Sequence, residues 1–154
     1  VITLSHSDTA RIQAEYGSKA GLGTQYFWLS KGTFDFFPAL TEKNTRGVKN
    51  TYSCIINMKY VDLGITQEER VTFEADNNLD FRLGTGAFRY TKKAKENDLA
   101  LITRLSEYDY ELRIIPKESN TYSRLLAYAT SFIGNYGKRF GYISNSELFD
   151  ILEK

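Results

Sequence analysis

The sequence predicts a mostly β (α+β) domain, a small barrel or sandwich of short strands with helices at its ends. Short runs rich in Tyr, Phe, Ile and Val alternate apolar with polar residues, which is typical of half-buried strands. Longer stretches rich in Asn, Asp, Gly and Ser separate these runs and predict loops. Apart from one turn, helical spacing of apolar residues is confined to the last third of the chain.

Seven segments predict strands, and the clearest is residues 51–61, where every second residue from Tyr52 to Tyr60 is apolar. Residues 99–105 and 108–115 predict the two strands of a hairpin. The other predicted strands are residues 2–4, 25–30, 70–75 and 139–143.

Three polar segments predict long loops, at residues 5–23, 39–50 and 76–86. Residues 33–37 predict one helical turn, which Pro38 stops. The remaining two helices are predicted at residues 122–132, which Gly134 can end, and after Ser144, which forms a capping-box pattern with Glu147.

Composition predicts one globular domain over residues 1–154, with 42% hydrophobic and 25% charged residues. The net charge is only +1, from 20 basic and 19 acidic residues, which is not the strongly basic profile of an electrostatic nucleic-acid binder. A nucleic-acid site would therefore need its positive charge gathered on one face; the alternative is an ordinary mixed-charge surface. Many basic residues do lie in loop-like segments: Arg11, Lys43, Arg46, Lys49, Arg82, Arg89, Lys92, Lys93, Lys95, Lys138 and Arg139.

Residues for catalysis are scarce. His6 is the single histidine and Cys54 the single cysteine, so the sequence offers no Ser/His/Asp or Cys/His set and no zinc cluster. We therefore expect a binding domain with no chemistry and no cofactor. The sequence has no membrane-length apolar run and no secretory signal pattern. Its single cysteine fits an intracellular compartment, and we expect a cytoplasmic protein.

Two other functions remain open from the residues alone. One is an RNA- or single-strand-binding barrel, in which Tyr26, Trp28, Phe140 and Tyr142 would lie exposed together as stacking platforms. The other is a self-contained nuclease with a metal site built on Asp98 or Glu111.

Several segments carry a family resemblance. Ser7-Asp8-Thr9-Ala10-Arg11-Ile12, followed by the aromatic run QYFWLSKGTFDFF, resembles the start of the B-three DNA-binding pseudobarrel of plant transcription factors. A closer resemblance spans nearly the whole chain, to the C-terminal DNA-recognition domain of the BfiI and NgoAVII group of restriction endonucleases. The segments that carry it are SDTARIQ, GTQYFWLSK, RVTFEADNNLDFRLGTG, NDLALITRL, YELRII and SFIGNYGKRFGYIS.

The resemblance implies a seven-stranded open pseudobarrel with short helices at its ends and two arms that grip the major groove of double-stranded DNA. The N-arm would run from about Ser7 to Tyr16, and the C-arm would include Asn77 to Arg82. It also implies a bacterial type II restriction endonuclease as the parent protein, with a separate phospholipase-D-like nuclease domain that this chain does not contain.

Residue-by-residue match to the family gives a set of expected DNA contacts: Asp8, Thr9, Arg11, Gln13, Asn44, Arg46, Lys49, Arg70, Asn77, Asn78, Asp80, Arg82 and Lys138. Arg can bond a guanine edge twice, Asn or Gln can do so to adenine, and Asp can accept from cytosine. Lys49 and Lys138 are expected to meet phosphates instead. The alternatives are structural: turn residues at Asn77 and Asn78, and ordinary solvated arginines.

Overall fold

The structure, a computed structural model, describes residues 1–46, 49–74, 80–134 and 137–153. These residues form ten strands: β1 (Ile2–Thr3), β2 (Tyr26–Leu29), β3 (Glu42–Arg46), β4 (Lys49–Tyr60), β5 (Ile65–Glu74), β6 (Asp80–Gly84), β7 (Leu99–Arg104), β8 (Asp109–Ile115), β9 (Ser131–Ile133) and β10 (Lys138–Phe140). They also form three α-helices: α1 (His6–Gln13), α2 (Tyr122–Leu126) and α3 (Asn145–Leu152). Short 3-10 turns occupy Lys19–Gly21, Lys31–Phe36 and Gly86–Phe88.

All ten strands belong to one sheet that curls into a nearly closed barrel, in the order β2-β6-β5-β4-β8-β7-β1-β10-β9, with β3 paired to β4. The β4–β8 pair is parallel and the other pairs are antiparallel. The alternation predicted for residues 51–61 is confirmed: Cys54, Ile56, Met58 and Tyr60 are buried, whereas the odd-numbered positions from Ile55 to Lys59 are exposed. The barrel interior is therefore the main hydrophobic core.

A second, smaller core lies outside the β7–β8 pair. Leu99, Leu101 and Ile115 point away from the barrel interior and pack with Leu125 of α2 and with apolar residues of α3. The helix α3 begins as predicted, because Ser144 Oγ accepts a hydrogen bond from the Glu147 amide at 3.2 Å. The helices α2 and α3 thus cover the side of the barrel formed by β7 and β8.

The structure corrects the expected count of seven strands to ten. The three additional strands β3, β6 and β9 lie where two polar loops and the end of a helix were predicted. Strand pairing uses backbone groups, so a polar segment can extend a sheet wherever its side chains face solvent, as those of Glu42, Lys43 and Asn44 in β3 do. The helix predicted at residues 122–132 ends at Leu126 because the following residues turn into β9.

The predicted loop at residues 5–23 is also wrong in part, because it contains α1. The helix begins with a reciprocal capping box: the Asp8 amide donates to Ser5 Oγ at 3.3 Å, and the Ser5 amide donates to Asp8 Oδ2 at 2.8 Å. Asp at this position replaces the more usual Glu or Gln, and the helix has only eight residues. Both features made α1 hard to recognise from the sequence.

Asp8 also closes the open seam of the barrel, where β2 forms one end of the sheet and the β9–β10 pair forms the other. Its Oδ1 accepts from the Trp28 amide in β2 at 2.9 Å, and its Oδ2 pairs with Lys138 Nζ in β10. The seam is tight: a Cβ on Gly134, whose φ is +65°, would lie 2.7 Å from the Trp28 ring. The helix α1 is therefore fixed across the seam.

Candidate nucleic-acid interface

Three of the expected DNA contacts, Asp8, Thr9 and Lys138, are buried and bond to other groups of the protein. The side chains of Asp8 and Lys138 are 1% and 2% exposed and form a buried ion pair. Thr9 is buried as well, and its hydroxyl donates to the Ser5 carbonyl at 3.0 Å. The expectation that Lys138 meets a phosphate is thus not supported, because its ammonium group is enclosed and already satisfied by a carboxylate.

Burial has an electrostatic consequence for this pair. It lowers the pKa of Lys138, and the adjacent Asp8 carboxylate offsets only part of that effect. A second buried side chain supports the same helix: Gln25 Nε2 donates to the Asp8 carbonyl at 2.8 Å and to Thr85 Oγ1 at 3.1 Å. The N-arm is therefore held against the barrel by Asp8 and Lys138, which the family resemblance implies as DNA contacts, and by Gln25, which the sequence predicts only as a strand residue.

Arg11 and Gln13 are the expected N-arm contacts that reach the surface. Arg11 is half-buried, and its Nη2 donates to the Ser7 carbonyl at 2.9 Å. Gln13 is exposed, with its Nε2 bonded to the Ala94 carbonyl at 2.7 Å. Both side chains are thus oriented by backbone oxygens while remaining accessible to a partner.

A basic loop, from Arg89 to Lys95, is hydrogen-bonded to α1, although the sequence analysis placed none of its residues in the site. The Tyr90 and Lys92 amides donate to the Arg11 and Ile12 carbonyls, both at 3.0 Å, with φ of 65° and 58°. Lys92 Nζ pairs with Glu15, and Lys93 is exposed. The signal in the sequence was the density of positive charge from Arg89 to Lys95.

The outer face of the sheet carries the expected contacts Asn44 and Arg70. Asn44 is exposed opposite Thr51 in the β3–β4 pair. Arg70 is 46% exposed, pairs with Glu42, and donates from Nη1 to Ser53 Oγ at 2.8 Å. Register aligns five residues in one row across this face: Glu42, Ser53, Thr72, Arg82 and Trp28.

The root of the C-arm is described, but its tip is not. Asn77 and Asn78 lie outside the described residues. For Arg46, Lys49 and Asp80 the structure describes only the strand: Arg46 pairs with Lys49 at the end of the β3–β4 hairpin, and Asp80 pairs with Glu74. At the root, Arg82 Nη2 forms an ion pair with Glu74 at 2.8 Å.

Tyr26 contacts both the N-arm and the root of the C-arm, although the sequence suggested it only as a stacking platform for a single strand. The guanidinium carbon of Arg11, from the N-arm, lies 5.8 Å from the centroid of the Tyr26 ring. That of Arg82, from the root of the C-arm, lies 4.7 Å away. Cation–π attraction operates at both distances. The structure therefore joins Arg11 and Arg82, which are far apart in sequence, through one aromatic ring.

A single-strand-binding barrel would need Tyr26, Trp28, Phe140 and Tyr142 exposed together, and the structure does not show this arrangement. Tyr26, Trp28 and Phe140 are half-buried, whereas Tyr142 is 57% exposed. Arginines contact the Tyr26 ring, and the Trp28 ring abuts Gly134. These four rings therefore do not form one open surface on which successive bases could stack.

Asp98, one of the two residues suggested for a metal-dependent nuclease, has a structural role. Asp98 is buried and accepts from the Lys95 and Lys117 amides, both at 2.9 Å, which fixes two turns. Within the described ranges, no group of three or more His, Cys, Asp or Glu is arranged to hold a metal ion. None of the described helices is long and apolar enough to cross a membrane.

Comparison with known proteins identifies the family. The N-terminal domain of Helicobacter pylori LlaJI.R1 has a similar structure, with a TM-score of 0.52 and 18% identity over 83% of this chain and 94% of that one. At this identity the likeness concerns the fold. No curated protein matches the sequence. The family described as the DNA binding domain of the metal-independent restriction enzyme BfiI matches residues 1–153. The chain therefore belongs to the BfiI DNA-binding-domain family, a family of DNA-binding domains of restriction enzymes.

Proposed function

We propose that this domain recognises a short sequence of double-stranded DNA through the major groove, with the N-arm and the C-arm reading adjacent base pairs. It would act as the target-recognition part of a type II restriction endonuclease, whose phospholipase-D-like nuclease is a separate domain. The observation that carries this proposal is the convergence of Arg11, from the N-arm, and Arg82, from the root of the C-arm, on the Tyr26 ring.

The side chains available to read bases fit the chemistry of the major groove. Arg11 offers the paired donors that match a guanine edge, and Gln13 offers an amide that matches adenine. Asn77, Asn78 and Asp80 would supply the same kind of contacts from the C-arm. Each bidentate contact contributes about 1–3 kcal/mol of discrimination between base pairs. Arg82, held by Glu74, would position the C-arm.

Phosphate contacts would come from basic residues around the arms. Lys92 and Lys93 lie on the loop bonded to α1, and Arg70 lies on the outer sheet face. Arg46 and Lys49 occupy the end of the β3–β4 hairpin. With a net charge of +1, attraction to DNA must come from such local clusters rather than from the whole molecule.

The direct test selects bound duplexes from a random pool and measures their affinity by fluorescence anisotropy across a salt series, beside single-stranded DNA and RNA. We expect one short duplex motif to be enriched and its affinity to fall steeply as salt rises. Equal or tighter binding to single strands, with no motif, would contradict the proposal. Cleavage of duplex by the isolated chain with Mg²⁺ would contradict its binding-only role.

Arg11→Ala with a matched control assigns the effect to the interface. Arg124 is exposed on α2, which packs with the second core. Arg11→Ala should weaken binding to the enriched duplex by about 10- to 100-fold, whereas Arg124→Ala should change it less than about twofold. Equal effects of the two substitutions would mean that only overall charge matters.

A further inference from the structure

We infer that Tyr26 is a positioning residue that couples the two arms, so that a bound duplex is read by both arms as one unit. The inference rests on the proposed function. Tyr26 lies in β2 at one end of the sheet, and its half-buried ring is contacted by Arg11 and by Arg82. The first arginine belongs to α1 and the second to β6.

Strand register explains how Arg82 reaches this ring. The residue directly opposite Tyr26 in β6 is Gly84, which has no side chain. Arg82 pairs with Trp28, two residues further along β2, and extends to the tyrosine from this diagonal position. Diagonal contacts of this kind are within reach of long side chains.

Each arginine is held at a second point within its own arm. Arg11 Nη2 donates to the Ser7 carbonyl at 2.9 Å, inside α1. Arg82 Nη2 pairs at 2.8 Å with Glu74, the last residue of β5 before the segment 75–79. Substituting Tyr26 therefore affects both arms at once, whereas substituting Arg11 or Arg82 first affects the arm that carries it.

The proposal concerns orientation rather than a contact from Tyr26 to DNA. A guanidinium against an aromatic face retains its N–H groups for hydrogen bonding while its plane is restricted. Restricting a reading side chain before binding reduces the entropy lost on association. From the usual strength of two partly exposed cation–π contacts, loss of the ring should weaken specific binding about tenfold.

The test compares Tyr26→Leu with Tyr26→Phe, using the duplex enriched by the wild-type chain and a scrambled duplex of equal length. Tyr108→Leu is the matched control, because Tyr108 is a half-exposed ring in the turn before β8. Each variant also goes through a new duplex selection. The positions read by each arm are those altered by Arg11→Ala and by Asn77→Ala.

We expect Tyr26→Leu to lose about tenfold on the enriched duplex and less than about twofold on the scrambled one, with weaker base preference under both arms. Tyr26→Phe should behave like the wild type, because the ring face remains. Three results would overturn the coupling: equal loss on both duplexes, loss of preference under one arm only, or a Tyr26→Phe defect as large as that of Tyr26→Leu.

A second measurement applies if Tyr26→Leu does not fold. A double-mutant cycle with Arg11→Met and Arg82→Met should show non-additive losses of more than about twofold, because both side chains act through one ring. Additive losses would reject the coupling. Failure of the proposed function looks different: the wild-type chain itself would then enrich no duplex motif.

Discussion

The N-arm and the root of the C-arm are each held by an ion pair, and the two pairs differ in burial. The N-arm is held from inside, by the Asp8–Lys138 pair at 1% and 2% exposure and by the buried amide of Gln25. The C-arm root is held nearer the surface, by Arg82 and Glu74 at 25% and 15% exposure. The comparison shows that the ion pair holding the N-arm is enclosed, whereas the ion pair at the root of the C-arm keeps some contact with solvent.

This difference has consequences for stability. An enclosed charge cannot be solvated once its partner is removed, so loss of either buried partner is costly. A charge that keeps some contact with solvent can turn toward water and loses less. Substitutions in the Asp8–Lys138 pair and in the Arg82–Glu74 pair should therefore differ several-fold in their effect on the free energy of unfolding.

The largest effect is expected at the buried pair. Asp8→Asn or Lys138→Met alone should lower the free energy of unfolding by about 3–5 kcal/mol, because each leaves an unpaired buried charge. The double variant should lose less than the sum of the two. Urea unfolding followed by fluorescence of Trp28, the single tryptophan, measures all three. A loss below about 1 kcal/mol in either single variant would mean that the pair does not fasten the arm.

A smaller effect is expected at the C-arm root. Glu74→Gln should lower the free energy of unfolding by about 1 kcal/mol, since both partners retain contact with solvent. The same urea titration provides the measurement, with Glu118→Gln as a control at an exposed pair whose atoms are 4.0 Å apart. If Glu74→Gln matched Lys138→Met, the contrast between the two arms would not hold.

The third prediction concerns pH and the strand β5, which leads to the C-arm. Burial raises the pKa of Glu69, although the hydrogen bond from Gln67 at 2.7 Å favours the charged form. The folded state therefore holds this proton more tightly than the unfolded state. Its contribution to stability is complete below the unfolded pKa and is lost as pH rises through the folded pKa.

Glu69→Gln removes that titration. The variant should gain stability over the wild type as pH increases from mildly acidic to neutral, because the cost of a buried carboxylate is absent. Urea titrations of both proteins at several pH values measure the difference. A difference that did not change with pH would show that Glu69 titrates alike in the folded and unfolded states.

The smallest effect is expected on the outer sheet face. Glu42→Gln removes an exposed partner of Arg70, at 50% side-chain exposure, and should change the free energy of unfolding by less than about 0.5 kcal/mol. It should tighten binding to any duplex by about two- to threefold at low salt, because one negative charge leaves the interface. Anisotropy on a scrambled duplex measures this, and weaker binding would place the face away from DNA.

Much of the fold could be predicted from the sequence because the alternation of apolar and polar residues along a strand indicates which face is buried. All seven predicted strands exist, and the one at residues 51–61 has the predicted buried face. The strand β3 was missed because its pairing depends on backbone groups, and nothing in a polar sequence distinguishes an exposed strand from a loop. The strand β6 was missed although its buried residues Phe81 and Leu83 alternate with polar ones, because it lies in a segment rich in Asn, Asp and Gly that predicts a loop.

The candidate site was readable only in part. Asp8 and Lys138 are 130 positions apart, and no local pattern reveals that they meet at the seam of the barrel. The family match therefore placed them among the expected DNA contacts, together with Arg11. The convergence on Tyr26 is likewise a property of strand register, since Tyr26 and Gly84 become neighbours only after β2 pairs with β6.

The most direct test of the central claim is hydrogen exchange of the backbone amides with and without the enriched duplex. If both arms grip one duplex, exchange should slow in α1 and in β6 together and remain unchanged in α3, which packs against β7 and β8. Slower exchange in α3 and β7, with α1 and β6 unaffected, would contradict the claim that the arms form the DNA-binding surface.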